Sequence, residues 1–137
     1  MAEDCIFCSI VKDEAEAYKV YEDENVLAFL DANPVSKGHT LVIPKKHVEN
    51  IHEASEMDFM WEGIKKVADG VKEAFDAHGI NITQNNGENA GQAVFHLHFH
   101  VTPIYTGNEI DLEYNTSDLE NGDKISKTLA DKIEKNS

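Results

Sequence analysis

Three histidines alternate with apolar residues in the motif His96-Leu97-His98-Phe99-His100. Alternate side chains of a β-strand share one face, so the motif predicts a row of imidazoles spaced by roughly 6.6 Å, with the apolar side chains in the core. A neutral imidazole is a good nucleophile toward phosphorus near pH 7, and its phosphorus adduct is labile enough to pass on to water. The row therefore indicates double displacement at a phosphate.

The segment directly before this row has the composition of a loop, because asparagine and glycine dominate residues 85–91. Such loops can turn backbone N–H groups toward an anion. All 12 basic residues of the chain are lysines, so no arginine is present to bind a phosphate through bidentate hydrogen bonds. A bound phosphate must therefore rest on histidine, lysine or backbone N–H groups.

A metal site is the alternative use for three imidazoles, since catalytic zinc often takes three histidines. Ligand nitrogens around one zinc ion lie only about 3.3 Å apart, whereas side chains along one flat strand are spaced at about twice that distance. Neighbouring pairs of these histidines can chelate a metal, but all three together hardly can.

Cys5 and Cys8 are separated by two residues, too close in sequence to staple a fold. In a reducing compartment this spacing indicates a pair of metal ligands or a redox pair. We favour half of a zinc site. A redox protein that forms a reversible disulfide between Cys5 and Cys8 stays open as an alternative.

The composition limits the class of protein. The chain has 137 residues, 41% of them hydrophobic, and a net charge of −14, so we expect one domain, residues 1–137, and no nucleic-acid partner. No stretch approaches the roughly 20 apolar residues of a membrane-spanning helix, and the start Met1-Ala2-Glu3-Asp4 is acidic where a signal peptide is basic. We therefore expect a cytoplasmic protein without a membrane partner.

The elements that must position the histidines follow from hydrophobic periodicity and turn residues. The chain alternates short strands with one long amphipathic helix and a weaker C-terminal helical stripe, which predicts an α+β domain with a mainly antiparallel sheet. Ser55 is the expected N-cap of the long helix and Gly79 its expected stop. The predicted strands are residues 17–22, 26–30, 40–43, 80–84 and 93–102, and the predicted helices are a turn at 6–11, then 55–78 and 118–135.

The motif continued to Val101 and Thr102 resembles the signature of the histidine triad (HIT) family, in which apolar residues separate and follow the three histidines. Thr102 departs from the apolar pattern at the last position. The resemblance covers about residues 5–105, which leaves 106–137 as a C-terminal extension. It also includes the segments Cys5-Ile6-Phe7-Cys8, Val26-Leu27-Ala28-Phe29-Leu30-Asp31, Gly38-His39-Thr40-Leu41-Val42-Ile43-Pro44-Lys45-Lys46-His47 and Asn85-Asn86-Gly87.

These segments are similar to the Hint-like branch of the family, whose members are homodimeric purine nucleoside phosphoramidases. The resemblance implies a five-stranded antiparallel sheet, a homodimer and this activity for the present chain. It implies that His98 attacks and takes the nucleotidyl group, with its other ring nitrogen held by a backbone carbonyl. His100 would contact the phosphate and the leaving group, and His39 would support the nucleophile from the neighbouring strand. With His96, these are the catalytic candidates.

The resemblance also implies where a purine nucleotide such as AMP binds. It places Asp31 on the ribose hydroxyls, which suits a carboxylate because it only accepts hydrogen bonds. Many relatives have serine where this chain has Ala93, so only a backbone N–H remains there. The residues implied around the base are Phe7, Ile10, Phe29 and Ala32, and those implied around the phosphate are Asn85, Gly91, Gln92 and Ala93, with His98 and His100.

Zinc-bearing relatives use a pair of cysteines, the histidine after Ile-Pro and the first histidine of the motif. This chain matches all four positions with Cys5, Cys8, His47 and His96. The implied Zn²⁺ site is closed and structural, and it leaves His98 and His100 free of metal. The alternative is that Cys5 and Cys8 are ordinary reduced thiols.

Several functions remain open besides a phosphoramidase. The wider family includes dinucleoside polyphosphate hydrolases and nucleotidyl transferases, and the same pocket would also permit a non-enzymatic, nucleotide-responsive interaction module. For the dimer that the resemblance implies, we expect the long helix and an edge strand to face the second copy.

Overall fold

A five-stranded antiparallel sheet in the order β1-β2-β3-β5-β4 carries the site in the computed structural model, which describes residues 4–110 and 116–136. This confirms the predicted fold class. The predicted single domain also includes residues 1–3, 111–115 and 137, which lie outside the described residues. The strands are β1 Lys19–Glu22, β2 Val26–Leu30, β3 Thr40–Pro44, β4 Gly79–Thr83 and β5 Phe99–Ile104.

The strand that should carry all three motif histidines is shorter at its start than predicted. The prediction of a strand over residues 93–102 is wrong at this end, because β5 begins at Phe99 and leaves His96 and His98 ahead of it. The backbone there bonds elsewhere, with the Leu97 N–H donating to the Val48 carbonyl at 2.8 Å. β2 has its predicted bounds, and β1, β3 and β4 differ from theirs by one or two residues.

The long helix, α2, runs from Phe59 to Phe75 rather than over the predicted 55–78. Glu56 has a positive φ of 55°, which keeps the chain out of a helix there, so Ser55 is not the N-cap. Asp58 stands at the N-cap, and Asp76 ends the helix in the left-handed conformation that was expected of Gly79.

The sheet is covered on both faces, which explains the unbroken apolar runs of its central strands. On one face α2 buries side chains against Val26, Ala28, Val42 and Val101. Each of these helix side chains contributes roughly 1.5–3 kcal/mol through burial; they are Met60, Ile64, Val67 and Val71.

The opposite face is covered by the short helix α1, Ile6–Val11. Its buried side chains Phe7, Cys8 and Ile10 pack on the other face of the central strands, against Leu27, Phe29, Leu41 and Ile43. This is the face on which the motif histidines lie.

The C-terminal helix α3 spans Gly122–Asn136 and begins four residues later than predicted. None of its described side chains is buried, and Leu119, Ile125 and Leu129 of the predicted stripe are exposed. Among the helices of residues 4–110 and 116–136, none has both the length and the apolar character needed to cross a membrane.

Candidate active site

Neighbouring strands bring the histidines together. β3 and β5 pair antiparallel with Leu41 opposite His100, and His39 directly precedes β3. His98 lies just ahead of β5, and its ring centroid is 5.1 Å from that of His100. The site therefore depends on the β3–β5 pairing and on the segment before β5.

One ring nitrogen of His98 is fixed by the backbone. Its Nδ1 lies 2.7 Å from the carbonyl oxygen of His96, which can only accept, so Nδ1 carries the proton. Phe7 packs edge-on against the ring at 5.2 Å between centroids. The second nitrogen, Nε2, is left with its lone pair, which is the arrangement that a nucleophilic imidazole requires.

The tautomers of His39 and His100 also follow from a backbone group. The Val35 N–H donates to Nδ1 of His39 at 3.0 Å, so the proton of neutral His39 sits on Nε2. Nε2 lies 3.0 Å from Nδ1 of His100 and donates to it. The proton of neutral His100 is therefore on its Nε2. His39 makes this contact with His100, so it can act on His98 only through that ring.

Burial keeps these imidazoles neutral. It lowers the pKa of His39 below its ordinary value, although the Asp31 carboxylate opposes the shift. Burial also lowers the pKa of His100, and the neighbouring His98 and His39 act in the same direction against Asp31. Without a ligand, both rings are therefore uncharged near neutral pH.

Asp31 lies beside both rings. Its Oδ1 accepts a hydrogen bond from the Asn33 N–H at 2.8 Å. Its Oδ2 lies 3.5 Å from Nε2 of His39 and 4.0 Å from Nδ1 of His100. Asp31, which was predicted to contact the ribose, thus also places a negative charge beside His39 and His100.

A cleft of about 1240 Å³ opens in front of the histidines, between α1 and β2. This volume exceeds the usual range for one drug-sized ligand, so it has room for a nucleotide and a leaving group. Nine of the residues predicted to bind the nucleotide line it: Phe7, Ile10, Phe29, Asp31, Ala32, Gly91, Ala93, His98 and His100.

Asn85 and Gln92 are not among the lining residues of this cleft. The Gln92 side chain is buried, accepts from the Gly87 N–H at 2.8 Å and donates to the Glu49 carbonyl at 2.7 Å. These contacts brace the loop. Asn85 packs beside Gly91, whose φ of 97° requires glycine.

Sequence reasoning missed the far end of the cleft. Asp13, Glu16 and Tyr18 line it beyond the apolar floor, and Lys19 there is paired with Asp13 at 2.6 Å. Their exposure and mixed chemistry give no sequence signal, because only the fold shows that the chain after α1 returns along the cleft.

The four predicted metal ligands meet at the other end of α1 and form the cysteine cluster: Cys5, Cys8, His47 and His96. Nδ1 of His96 lies 3.4 Å from Sγ of Cys5 and 3.2 Å from Nδ1 of His47, and Sγ of Cys8 lies 3.3 Å from the same His47 atom. Ligands of tetrahedral zinc are separated by about 3.3–3.8 Å, given Zn–N and Zn–S distances of ~2.1 and ~2.3 Å. These residues fit a zinc ion.

The protonation of His96 suits the same purpose. Its Nε2 donates to the Pro44 carbonyl at 2.8 Å, which leaves the lone pair on Nδ1 facing the sulfurs. Burial lowers the pKa of His96 to about 4, so the ring is neutral. Burial raises the pKa of Cys8, and the neighbouring Cys5 adds to the shift. A cation would relieve this cost, because zinc binds the thiolate.

Known proteins share this sequence pattern. The model of the HIT domain matches residues 12–107. Protein hit of Bacillus subtilis is 49% identical over 106 residues, which are 76% of this chain and 73% of that protein. Adenosine 5'-monophosphoramidase hnt1 of Schizosaccharomyces pombe is 46% identical over 99 residues, 72% of this chain and 73% of that protein.

Solved structures share the fold. A HIT family protein from Bacillus anthracis superposes with a TM-score of 0.88 at 40% identity and covers 96% of this chain and 99% of its own. A zinc-bound histidine triad family protein from Mycobacterium smegmatis superposes with a TM-score of 0.70 at 37% identity, covering 83% and 84%. Sequence motif, fold and the relatives agree: the chain belongs to the HIT family.

Proposed function

We propose that the protein hydrolyses a bond to the α-phosphate of a purine nucleotide, with a nucleoside 5'-phosphoramidate as the substrate type. The observation that carries this proposal is the hydrogen bond from Nδ1 of His98 to the His96 carbonyl, which leaves Nε2 as a free nucleophile in the cleft. A relative named adenosine 5'-monophosphoramidase, similar over most of both chains, supports the choice of substrate.

In the first step, the lone pair on Nε2 of His98 attacks the α-phosphorus and the bond from phosphorus to the amine nitrogen breaks. With substrate bound, the negative phosphate and the nearby Asp31 carboxylate favour the imidazolium form of His100. Its added proton lies on Nδ1 and faces Asp31, so the hydrogen bond from His39 to this nitrogen is broken in that form. Nε2 of His100 then gives a proton to the departing amine nitrogen. The product of this step is a nucleotidyl group on His98.

In the second step, water attacks the same phosphorus and the bond to His98 breaks. His100, which now carries its one proton on Nδ1, takes a proton from the attacking water at Nε2, and this restores the imidazolium form that began the first step. The nucleoside monophosphate leaves, and both histidines are unchanged over the cycle.

We further propose that Cys5, Cys8, His47 and His96 hold a structural zinc ion. When bound, zinc would tie α1 to the segment before β5 and stabilise the thiolates. Four separations of 3.2–3.6 Å between pairs of ligand atoms and the zinc-bound relative support this assignment.

We expect a homodimer in which β4 and α2 face the second copy. β4 is an edge strand, and Ile82 on it and Trp61 on α2 are exposed apolar side chains. Sedimentation that shows a monomer at micromolar concentration would contradict this expectation.

The test of the reaction compares wild type with His98→Ala on adenosine 5'-phosphoramidate. We expect the variant to lose at least about 10³-fold in turnover, because it lacks the nucleophile. His52→Ala, which changes an exposed histidine outside the cleft, is the matched control. Acid quench followed by mass spectrometry should find the nucleotidyl group on His98. Undiminished turnover by His98→Ala would sink the mechanism.

A further inference from the structure

A second group of metal-ligating side chains lies inside the cleft, apart from the cysteine cluster. Asp31, His39 and His100 each offer one donor atom, and these three atoms lie close to one another. The three separations are 3.0 Å between the two histidine nitrogens, 3.5 Å from His39 to the carboxylate oxygen and 4.0 Å from His100 to the same oxygen.

These distances match those around one small divalent cation. A triangle with sides of 3.0, 3.5 and 4.0 Å has a circumscribed radius of about 2.1 Å, and zinc binds histidine nitrogen and carboxylate oxygen at ~2.0–2.2 Å. A metal at the centre would reach all three atoms without movement of the backbone that carries them.

The donor set selects the class of metal. Two imidazoles and one carboxylate suit zinc and similar transition metals, whereas magnesium and calcium prefer sites made wholly of oxygen. Two of the three ligands are within reach of solvent, because the side chains of Asp31 and His100 are 19% and 23% exposed and both line the cleft, whereas His39 is buried behind them. A fourth position stays open toward the cleft.

Metal binding has one structural cost. Nδ1 of His100 already presents a lone pair, but Nε2 of His39 carries a proton that must move to Nδ1 of the same ring. The Val35 N–H that now donates to this Nδ1 must then turn away. Val35 lies in the loop between β2 and β3 and its side chain is half exposed, so this change lies outside the buried core.

We propose that Asp31, His39 and His100 form a second, inhibitory site for a zinc-type divalent cation, distinct from the structural cysteine site. The bound metal withdraws Asp31 and His100 from any nucleotide in the cleft, so metal and nucleotide exclude each other. The binding of metal does not depend on the proposed function, whereas its inhibitory effect does.

The test is a calorimetric titration of the zinc-loaded protein with further Zn²⁺. We expect a second equivalent that binds at least about 10³-fold more weakly than the first, because it has three protein ligands and no thiolate. Saturating AMP should abolish this second binding, and zinc at the same concentration should inhibit phosphoramidate turnover until a chelator is added.

Two variants separate this site from adventitious binding. His39→Gln keeps an amide N–H that can donate to His100 but offers no imidazole to a metal, and Asp31→Asn removes the charge. Both should lose the second equivalent and keep the first, while His52→Ala should keep both. If the zinc-loaded wild-type protein binds no further zinc, or if both variants still bind the second equivalent, the proposal is overturned. A second equivalent without any phosphoramidate turnover would instead refute the proposed function alone.

Discussion

Replacing His47 by alanine should slow the chemistry at His98 although the two side chains belong to different sites. The contacts of the His47 ring are with Cys8 and His96, inside the cysteine cluster. His96 and Phe7 are the connection to the nucleophile. The His96 ring belongs to the cluster while its carbonyl accepts from His98, and Phe7 stands between the two cysteines and packs edge-on against both rings.

The magnitude follows from the two contacts that hold His98. A hydrogen bond of this kind contributes ~0.5–1.5 kcal/mol and an edge-on aromatic pair contributes about the same. Losing both raises the barrier by about 1–3 kcal/mol, or about 5- to 150-fold in kcat/KM, since ~1.36 kcal/mol corresponds to a factor of ten. His47→Ala loosens α1 without deleting either contact, so we expect a fall of about tenfold.

The assay combines zinc content, AMP affinity and kcat/KM on adenosine 5'-phosphoramidate. Dialysis against a chelator completes the loss of metal if His47→Ala alone retains some. The AMP affinity should weaken together with kcat/KM, because Phe7 lines the cleft as well. His52→Ala should match wild type in all three measurements. A metal-free His47→Ala protein whose kcat/KM stays within about twofold of wild type would refute the coupling through His96.

Two further predictions concern stability. Gly63→Ala should bring no gain, because its Cβ would lie 3.0 Å from the Val26 side chain, whereas Gly70→Ala, with open space around it, should raise the free energy of unfolding by about 1 kcal/mol in urea titrations. Burial tends to raise the pKa of Glu109, but backbone N–H donors of its own loop lower it to about 2. A lowered carboxyl pKa stabilises the folded state at every pH above the ordinary pKa of that carboxyl. The stability difference between wild type and Glu109→Gln should therefore shrink as the pH falls from about 5 toward 2. A difference in urea midpoint that stays constant over this range would contradict the prediction.

The fold was largely predictable because its strongest signals are local. The run from Val26 to Leu30 and the stripe along α2 are set by which side chains must be buried, and both elements were found. The ends of elements were less accessible to prediction. Asp76 adopts the left-handed conformation at the end of α2 although Gly79 is the better residue for it, because the chain must turn there to place Gly79 opposite Ile104.

The candidate site was predictable in its residue types and less so in its contacts. Resemblance named the residues that meet at the cleft and in the cysteine cluster. The groups that fix their protons are backbone atoms: the His96 carbonyl on His98, the Val35 N–H on His39 and the Pro44 carbonyl on His96. Every residue carries such groups, so no sequence pattern distinguishes the few that bind an imidazole.

The late start of β5, at Phe99, explains why the three neighbouring histidines of the motif lie in different environments. A strand continued back to His96 would have placed its ring on the same face as His98 and His100, where burial and mutual proximity disfavour a second positive charge. Because β5 starts at Phe99, the chain bends and the His96 ring turns into the cysteine cluster while its carbonyl remains with His98. Lys19, the one lysine among the cleft residues that the structure describes, is already paired with Asp13. In the proposed reaction, positive charge in front of the phosphate therefore comes from the imidazolium form of His100 and from the His98 ring as its bond to phosphorus forms. In that proposed reaction the charge on His98 develops only as the substrate reacts, so it favours the transition state over the resting complex.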